Sequence, residues 1–341
     1  MSETVVVVSV DTEEDNWSPA RERVTVENIR ALPRLQAHCD GLGVPLTYFT
    51  TYQVATTPWA ARLLGELQAS GRAEVAAHLH PWNTPPLDEA FVPRHTMLKN
   101  IPASLQRAKI ASVRRAIEEH VGTRPAAFRT GRFGLGSETV RALIDEGFRV
   151  DSSITPWMSW VHMDDGPDFI GAPLAAYALD GSTDPRVPVR GGRLLEIPLS
   201  SGYSRWPFER WHGVYTALRK PWARPFHLAG LGVRLGVVCA VMLSPEVSPA
   251  RDMLRLAALL IRHGVTHLSV FLHSPSLVPG LSPFAPGAAQ VDRLHAVLAD
   301  FVEGLGRLTT PVCATISDAA RRLAPDAGAG PVADRDPRAA P

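Results

Sequence analysis

The sequence predicts an α/β protein with a parallel sheet curled into a barrel. Short β-branched or apolar runs alternate with helix-spaced segments along nearly the whole chain. About seven or eight strand–helix units can be counted this way, a number and length that favour a barrel over an open sheet. The first run, Val5 to Val10, is apolar almost throughout. That is the pattern of a strand covered on both faces.

The elements follow in order. After the strand Val5–Val10, the stretch Val26–Cys39 places Ile29, Leu32 and Leu35 at helical spacing, with Pro33 expected to bend it. "VPLTYFTTY" (44–52) is a strand, Trp59–Gln68 a short helix stopped by Gly71, and "AEVAAHLH" (73–80) a third strand. Ser104–Val121 reads as an amphipathic helix, "PAAFRT" (125–130) as a strand, Ser137–Glu146 as a helix closed by Gly147, and "FRVDSS" (148–153) as a strand. A Pro-, Gly- and Trp-rich stretch, 156–192, is expected to be loop. "LLEIPLS" (194–200), a helix Phe208–Arg219, "VVCAVML" (237–243), a helix within 249–263 and "HLSVFLHS" (267–274) continue the alternation. A helix over 287–306, the strand "PVCATI" (311–316) and a short helix complete it. Residues 1–323 are read as one domain. Residues 324–341 lack apolar periodicity and are read as a disordered tail.

Charge and composition exclude some classes of function. Lys and Arg number 35 against 34 Asp and Glu, a formal net charge of +1, and no basic stripe points to nucleic acid. The three cysteines, Cys39, Cys239 and Cys313, are odd in number and far apart, so they read as thiols of a reducing compartment. "MSET" lacks the basic start of a signal peptide. The apolar window 228–243 is short and contains Arg234, so no membrane span is expected. These features together suggest a soluble, cytoplasmic protein.

The unusual residues gather at the carboxyl ends of the strands, where parallel α/β folds build their sites. The first strand runs into Asp11 and Glu13, the third into His78 and His80, and the fourth into Arg129 with Arg132 just beyond. The fifth carries Asp151, the sixth Glu196, and a late strand ends in His273. Asp11 and Glu13 share an i, i+2 spacing, so on an extended backbone they point the same way, as do His78 and His80. Two carboxylates aimed at one spot repel unless a cation lies between them or one is protonated. A carboxylate with two imidazoles is a usual ligand set for Zn²⁺, and it also suits Fe²⁺, Co²⁺ or Ni²⁺. On this reading Glu13, His78 and His80 hold a divalent metal, Zn²⁺ being the first choice. Asp11 is then a general base on water, Arg129 its charge partner, and His273 the general acid for a leaving amine. Asp151 is expected to orient a neighbouring His or Arg. Trp82 and Trp157, just past strand ends, are expected to offer faces to a sugar ring. Arg132 and Glu196 are assigned to substrate binding at the barrel mouth.

In this order the segments "SVDTEED", "EVAAHLHPW", "FRTGRFG", "VDSS" and "LSVFLHS" resemble the five motifs of the polysaccharide deacetylases, the carbohydrate esterases built on the NodB homology domain. The resemblance runs over roughly residues 5 to 275. It implies a deformed (β/α)₇ barrel, a divalent metal, and removal of an N-acetyl or related acyl group from an amino sugar. "VDTEEDNW…HLHPWNTPP" is most similar to a branch tied to bacterial polysaccharide biosynthesis, which implies a surface-glycan precursor as substrate.

Two features differ from that pattern. Asp11-Thr12-Glu13 replaces a pair of adjacent aspartates, so Glu14 and Asp15 stand as alternative acidic ligands. The histidines sit at i and i+2 where the family has i and i+4, and Trp82 stands near the place of the second. The alternatives are a hydrolase of non-sugar amides on the same fold, or a catalytically inactive glycan-binding homologue.

Overall fold

The computed structural model describes residues 3–218 and 239–324. The predicted helix end at Arg219, the start of the strand 237–243, most of the apolar window 228–243 and the tail after 324 lie outside the described residues. The strands are β1 (Glu3–Thr12), β2 (Leu46–Thr50), β3 (Ala73–Leu79), β4 (Ala127–Thr130), β5 (Val150–Asp151), β6 (Tyr177–Leu179), β7 (Leu194–Glu196), β8 (Ser201–Tyr203), β9 (Ala240–Met242), β10 (His267–His273) and β11 (Thr310–Cys313). The helices are α1 (Leu32–Gly41), α2 (Tyr52–Thr56), α3 (Pro58–Ala69), α4 (Ala103–Ala116), α5 (Ser137–Asp145), α6 (Phe208–Leu218), α7 (Ala250–Arg262), α8 (Ala288–Leu305) and α9 (Ile316–Leu323).

The main sheet runs β10-β1-β2-β3-β4-β5-β7-β6. Its first seven members are mutually parallel, and β6 adds an antiparallel edge. Helix-bearing connections cover the outside, as parallel strands require. β1 is central. β10 pairs along Val5–Asp11 on one side, while β11 (against Glu3–Val6) and β2 (against Val8–Thr12) share the other. The curl is closed irregularly. Ser200 N–H donates to the Ser269 carbonyl (3.2 Å), Leu243 N–H to that of Ser200 (2.8 Å) and Phe271 N–H to that of Leu243 (3.1 Å). Single hydrogen bonds at this seam, in place of a ladder, make the barrel a deformed one.

Alternation along each strand separates two cores. Val6, Val8, Val10, Leu46 and Tyr48 face outward and pack with Leu32, Leu35, Leu298 and Phe301 of the helices. Val7, Phe49, Ala76, Ala127, Val150 and Ile197 face inward and are plugged from below by Ile316, Ala319 and Leu323 of α9. Two residues further along the same inward faces come Ser9, His78 and Arg129, and the next steps are Asp11 and His80. The apolar floor of the barrel thus fixes which side chains line its mouth.

Most expected elements are present, with adjustments. The helix expected over 26–39 is a 3-10 turn, Glu27–Ala31, running into α1. Pro33 sits in the first turn of α1, where its missing N–H costs nothing, so it starts the helix and does not bend it. The 156–192 stretch is mainly loop but contains β6, too short to give a pattern. β8 and α2 had no sequence signal strong enough to separate them from their neighbours.

Phe301 is fully buried between α8 and the sheet, whereas Phe91 is 50% exposed. Phe301→Ala should lower the unfolding free energy by about 3–5 kcal/mol. Phe91→Ala should change it by no more than about 0.5 kcal/mol. Urea titration of both variants checks this contrast.

Candidate active site

Asp11, Glu13, His78, His80, Arg129 and His273 converge at the mouth of the barrel. Glu13, His78 and His80 are all buried and each offers one ligand atom, the three lying within 4.8 Å of one another. Glu13 Oε2 is 3.0 Å from His80 Nε2 and 3.7 Å from His78 Nε2. Zinc ligands about 2.0–2.1 Å from the ion in a tetrahedron are about 3.3 Å apart, and the two separations bracket that value.

The outer nitrogens of both imidazoles are anchored. His78 Nδ1 lies 3.0 Å from the Arg129 carbonyl oxygen, which can only accept, so Nδ1 carries the proton and Nε2 presents its lone pair inward. His80 Nδ1 donates to Glu14 Oε2 at 2.9 Å. Such outer partners are what metal-bound histidines have. Burial, with smaller contributions from His80 and Arg129, outweighs the pull of Asp11 and drives the His78 pKa down to about 3. Burial also disfavours charge on His80, but Glu14 and Glu13 overcome it and raise that pKa to about 10. Without a cation, therefore, His80 must hold a second proton to face Glu13. A divalent cation would replace that proton, and the residues fit one.

The i, i+2 histidine spacing places both rings on the inward face, with centroids 4.8 Å apart. Trp82 does not occupy a ligand position. It is buried and stacks on His80 at 4.2 Å and 21°, so its expected role as an open sugar platform is corrected: its ring is spent holding a ligand. Gly131 explains the close approach on another side. A Cβ there would lie 2.4 Å from His80 Cδ2 and 2.8 Å from the Leu79 oxygen. Glu14, an alternative acidic ligand, is buried and bonded to His80 Nδ1; burial raises its carboxyl pKa, but His80 helps bring it below the usual range. Asp15 accepts from the N–H groups of Glu27 and Asn28 and is committed to that turn.

Asp11 stands beside this group. Its Oδ1 accepts from Arg129 Nη1 at 2.5 Å. Burial raises its pKa, but Arg129, His78 and His273 together bring it below the ordinary carboxylate value. Arg129 is itself fully buried. It donates to the Ser152 carbonyl (2.8 Å), Ser152 Oγ (3.1 Å) and Ser9 Oγ (3.0 Å), and lies 4.0 Å over the Phe49 ring. His273 Nε2 is 3.8 Å from Asp11 Oδ2 on the far side. Its Nδ1 donates to Glu246 Oε2 at 2.8 Å, and Glu246 Oε1 accepts the His273 backbone N–H at 3.1 Å. Burial opposes charge on this ring, but Glu246, Glu13 and Asp11 raise its pKa to about 10. Glu246 is the site residue that sequence reasoning missed. It lies just past the end of β9, and strand-end position was the only signal available.

Two carboxyls expected at the mouth are elsewhere. Asp151 and Glu196 are cross-strand partners on β5 and β7, both fully buried, and each carboxyl shifts the titration of the other. Val150 and Ile197 take the inward positions, so the alternation turns Asp151 and Glu196 to the outer face. The residue that reaches Arg129 is Ser152. Asp151 instead accepts from Ser153 Oγ (2.8 Å), which in turn accepts the Thr130 N–H (2.9 Å). Glu196 Oε1 accepts the Ile154 N–H at 3.1 Å. Arg132, expected to bind substrate, has φ 54°, and its guanidinium pairs with Asp164 at 2.7 Å and with Thr96 Oγ1, bracing the loops. Trp157 is buried against Phe208 and His212. Trp17, just past β1, is 40% exposed and makes T-shaped contacts with His273 at 5.2 Å and Phe284 at 5.3 Å.

No family model and no curated protein matches the sequence. Among solved structures the chain is similar to a protein assigned as a polysaccharide deacetylase from Mycobacterium smegmatis, with a TM-score of 0.53, 17% identity, and coverage of 94% of this chain and 90% of that one. It is also similar to 4-alpha-glucanotransferase from Thermococcus litoralis, with a TM-score of 0.51 and 10% identity, covering 94% of this chain but 41% of that one. A family 4 carbohydrate esterase from Streptomyces lividans overlays more loosely, at a TM-score of 0.42 and 9% identity, over 93% and 94% of the two chains. The fold is that of the polysaccharide deacetylases, the deformed barrel that the motifs imply. At these identities the likeness is one of backbone alone.

The Asp151–Glu196 pair makes a pH prediction. Burial first, then repulsion from Asp151, raises the Glu196 pKa well above 4.5. A carboxyl whose pKa is raised in the folded state holds its proton longer there than in the unfolded chain. The pair therefore loses stability as pH rises from the unfolded value through the folded one. Glu196→Gln keeps the shape and a donor toward Asp151 without the titration. Urea unfolding of both proteins at several values from about pH 5 to 8 should show the variant gaining on the wild type as pH rises. Parallel curves would contradict the shared-proton pair.

Proposed function

We propose that this chain is a metal-dependent deacetylase that hydrolyses the amide of an N-acetyl, or related N-acyl, amino sugar, with a surface-polysaccharide precursor as substrate. The observation that carries this reading is the convergence of Glu13 Oε2, His78 Nε2 and His80 Nε2 beside the Asp11–Arg129 and His273–Glu246 pairs. Fold likeness adds support. A non-sugar amide hydrolase would use the same centre. Trp17 favours the sugar reading, since a partly exposed aromatic ring beside His273 suits contact with the apolar face of a sugar.

Glu13, His78 and His80 would hold the cation, with Zn²⁺ the first choice for one carboxylate and two imidazoles. When bound, it supplies Lewis acidity, which makes a water more acidic and polarises the acyl carbonyl. The protein does the proton transfers. Asp11 Oδ2 takes the proton of the attacking water. Arg129 holds Oδ1, aims the carboxylate and keeps it ionised at neutral pH. His273, protonated and fixed through Nδ1 by Glu246, gives its Nε2 proton to the departing nitrogen, so that the C–N bond breaks to an amine and a carboxylate. His273 Nε2 lies 3.8 Å from Asp11 Oδ2, so acid and base border the same small space. The reducing compartment implied by the three thiols makes the cytoplasm the expected setting.

Asp11→Asn separates these roles. Asn keeps an acceptor for Arg129 but is no base. The variant should fold, bind one equivalent of Zn²⁺ and lose at least about a hundredfold in deacetylation of N-acetylated amino sugars. Acetate release with an N-acetylglucosamine oligomer and a sugar-nucleotide panel, beside metal analysis, checks this. Full activity in the variant would overturn the assignment.

A further inference from the structure

Lys109 takes no part in the chemistry above, yet it is among the most deliberately placed charges in the molecule. It lies on α4 with its side chain fully buried. Its ammonium donates to the carbonyls of Pro81 (2.8 Å), Thr84 (2.7 Å) and Pro86 (2.5 Å), and pairs with Glu89 Oε2 at 3.0 Å. A buried ammonium is costly unless its protons are all used. Here three N–H groups meet three carbonyls and a carboxylate, whereas a neutral amine would have two protons to give. Burial lowers its pKa, and Glu89 counters that.

What the cage holds is the loop that starts directly after His80. Pro81 is the next residue and Trp82, one further, stacks on the His80 ring. The same loop is gripped from the other side. Arg21, on the segment that follows Glu13 and Glu14, donates to the Trp82 carbonyl (2.8 Å), the Glu89 carbonyl (3.0 Å) and Glu89 Oε1 (2.7 Å). Glu89 thus joins two cations, one from a helix outside the barrel and one from the loop that bears the acidic ligand. Glu14 fixes His80 at Nδ1, but the plane of the ring and the start of its backbone are set by Trp82 and Pro81.

We infer that Lys109, with Glu89 and Arg21, forms a positioning cluster for the metal ligand His80, setting the cation affinity of the Glu13–His78–His80 group through loop 81–89. The inference rests on the metal reading of that group. A purely structural role predicts lost stability with unchanged affinity, and the two separate experimentally. Lys109→Met keeps the length of the side chain and removes the charge. Arg21→Met, at a partly exposed position, removes the second grip and decides the matter should Lys109→Met not fold. Titration of each metal-free protein with Zn²⁺, and the visible absorption of the Co²⁺ forms, are the readouts. Both variants should bind about tenfold or more weakly, as changes in the outer shell of metal sites do, with altered Co²⁺ bands. Phe301→Ala, destabilised far from the loop, should bind like the wild type. If the wild type binds and Lys109→Met and Arg21→Met match it, the positioning role is overturned while the metal reading stands. If the wild type itself fails to bind, the metal reading falls and takes this inference with it.

Discussion

Among the described residues, the barrel mouth gathers more carboxyl groups than permanent cations. Asp11, Glu13, Glu14 and Glu246 bring four carboxylates into a space largely closed to water. Among the described residues, the permanent cation paired with this group is Arg129, which holds Asp11. Protonating His80 and His273 still leaves one negative charge over. A divalent cation with His80 neutral and His273 protonated brings the balance to zero. Charges in a low-dielectric interior are strongly disfavoured unless paired. Electroneutrality therefore favours a divalent cation at Glu13, His78 and His80, and would couple it to the anchored His80 and to His273.

The fold prepares that arrangement from below. Val7, Ala76 and Ala127 face the barrel floor, and period-two alternation then commits Ser9 and Asp11, His78 and His80, and Arg129 to the same interior. A one-residue slip of any of these strands would turn its site residues into the helix layer. The outward valines and leucines, packed under α1 and α8, make such a slip costly. Stability and site geometry thus share one pattern in β1, β3 and β4.

That pattern is also why much of the site was legible in the sequence. Asp11 with Glu13, and His78 with His80, sit at the ends of long strands whose alternation can be counted back to buried apolar residues. Asp151 and Glu196 were misplaced because β5 and β7 offer two and three residues, too few to fix which face is which. Ser152 took the interior position that Asp151 was expected to hold. Trp82 and Trp157 were read as platforms from position alone, yet one is stacked on His80 and the other is packed in the core. Glu246 offered only its place past a strand end and Lys109 no local signal, since their meaning depends on loops that meet only in three dimensions. Glu246 finds His273 across 27 residues, and Lys109 closes a cage on a loop 23 to 28 residues before it.

A divalent cation shared by two imidazoles and one carboxylate would leave a direct spectroscopic mark. X-ray absorption at the zinc edge of the purified, Zn²⁺-loaded protein tests it most directly. The spectrum should show one tightly held zinc per chain with two histidine nitrogens and carboxylate or water oxygen at about 2.0–2.2 Å. A zinc shell without histidine scattering, or no stoichiometric zinc after loading, would contradict it.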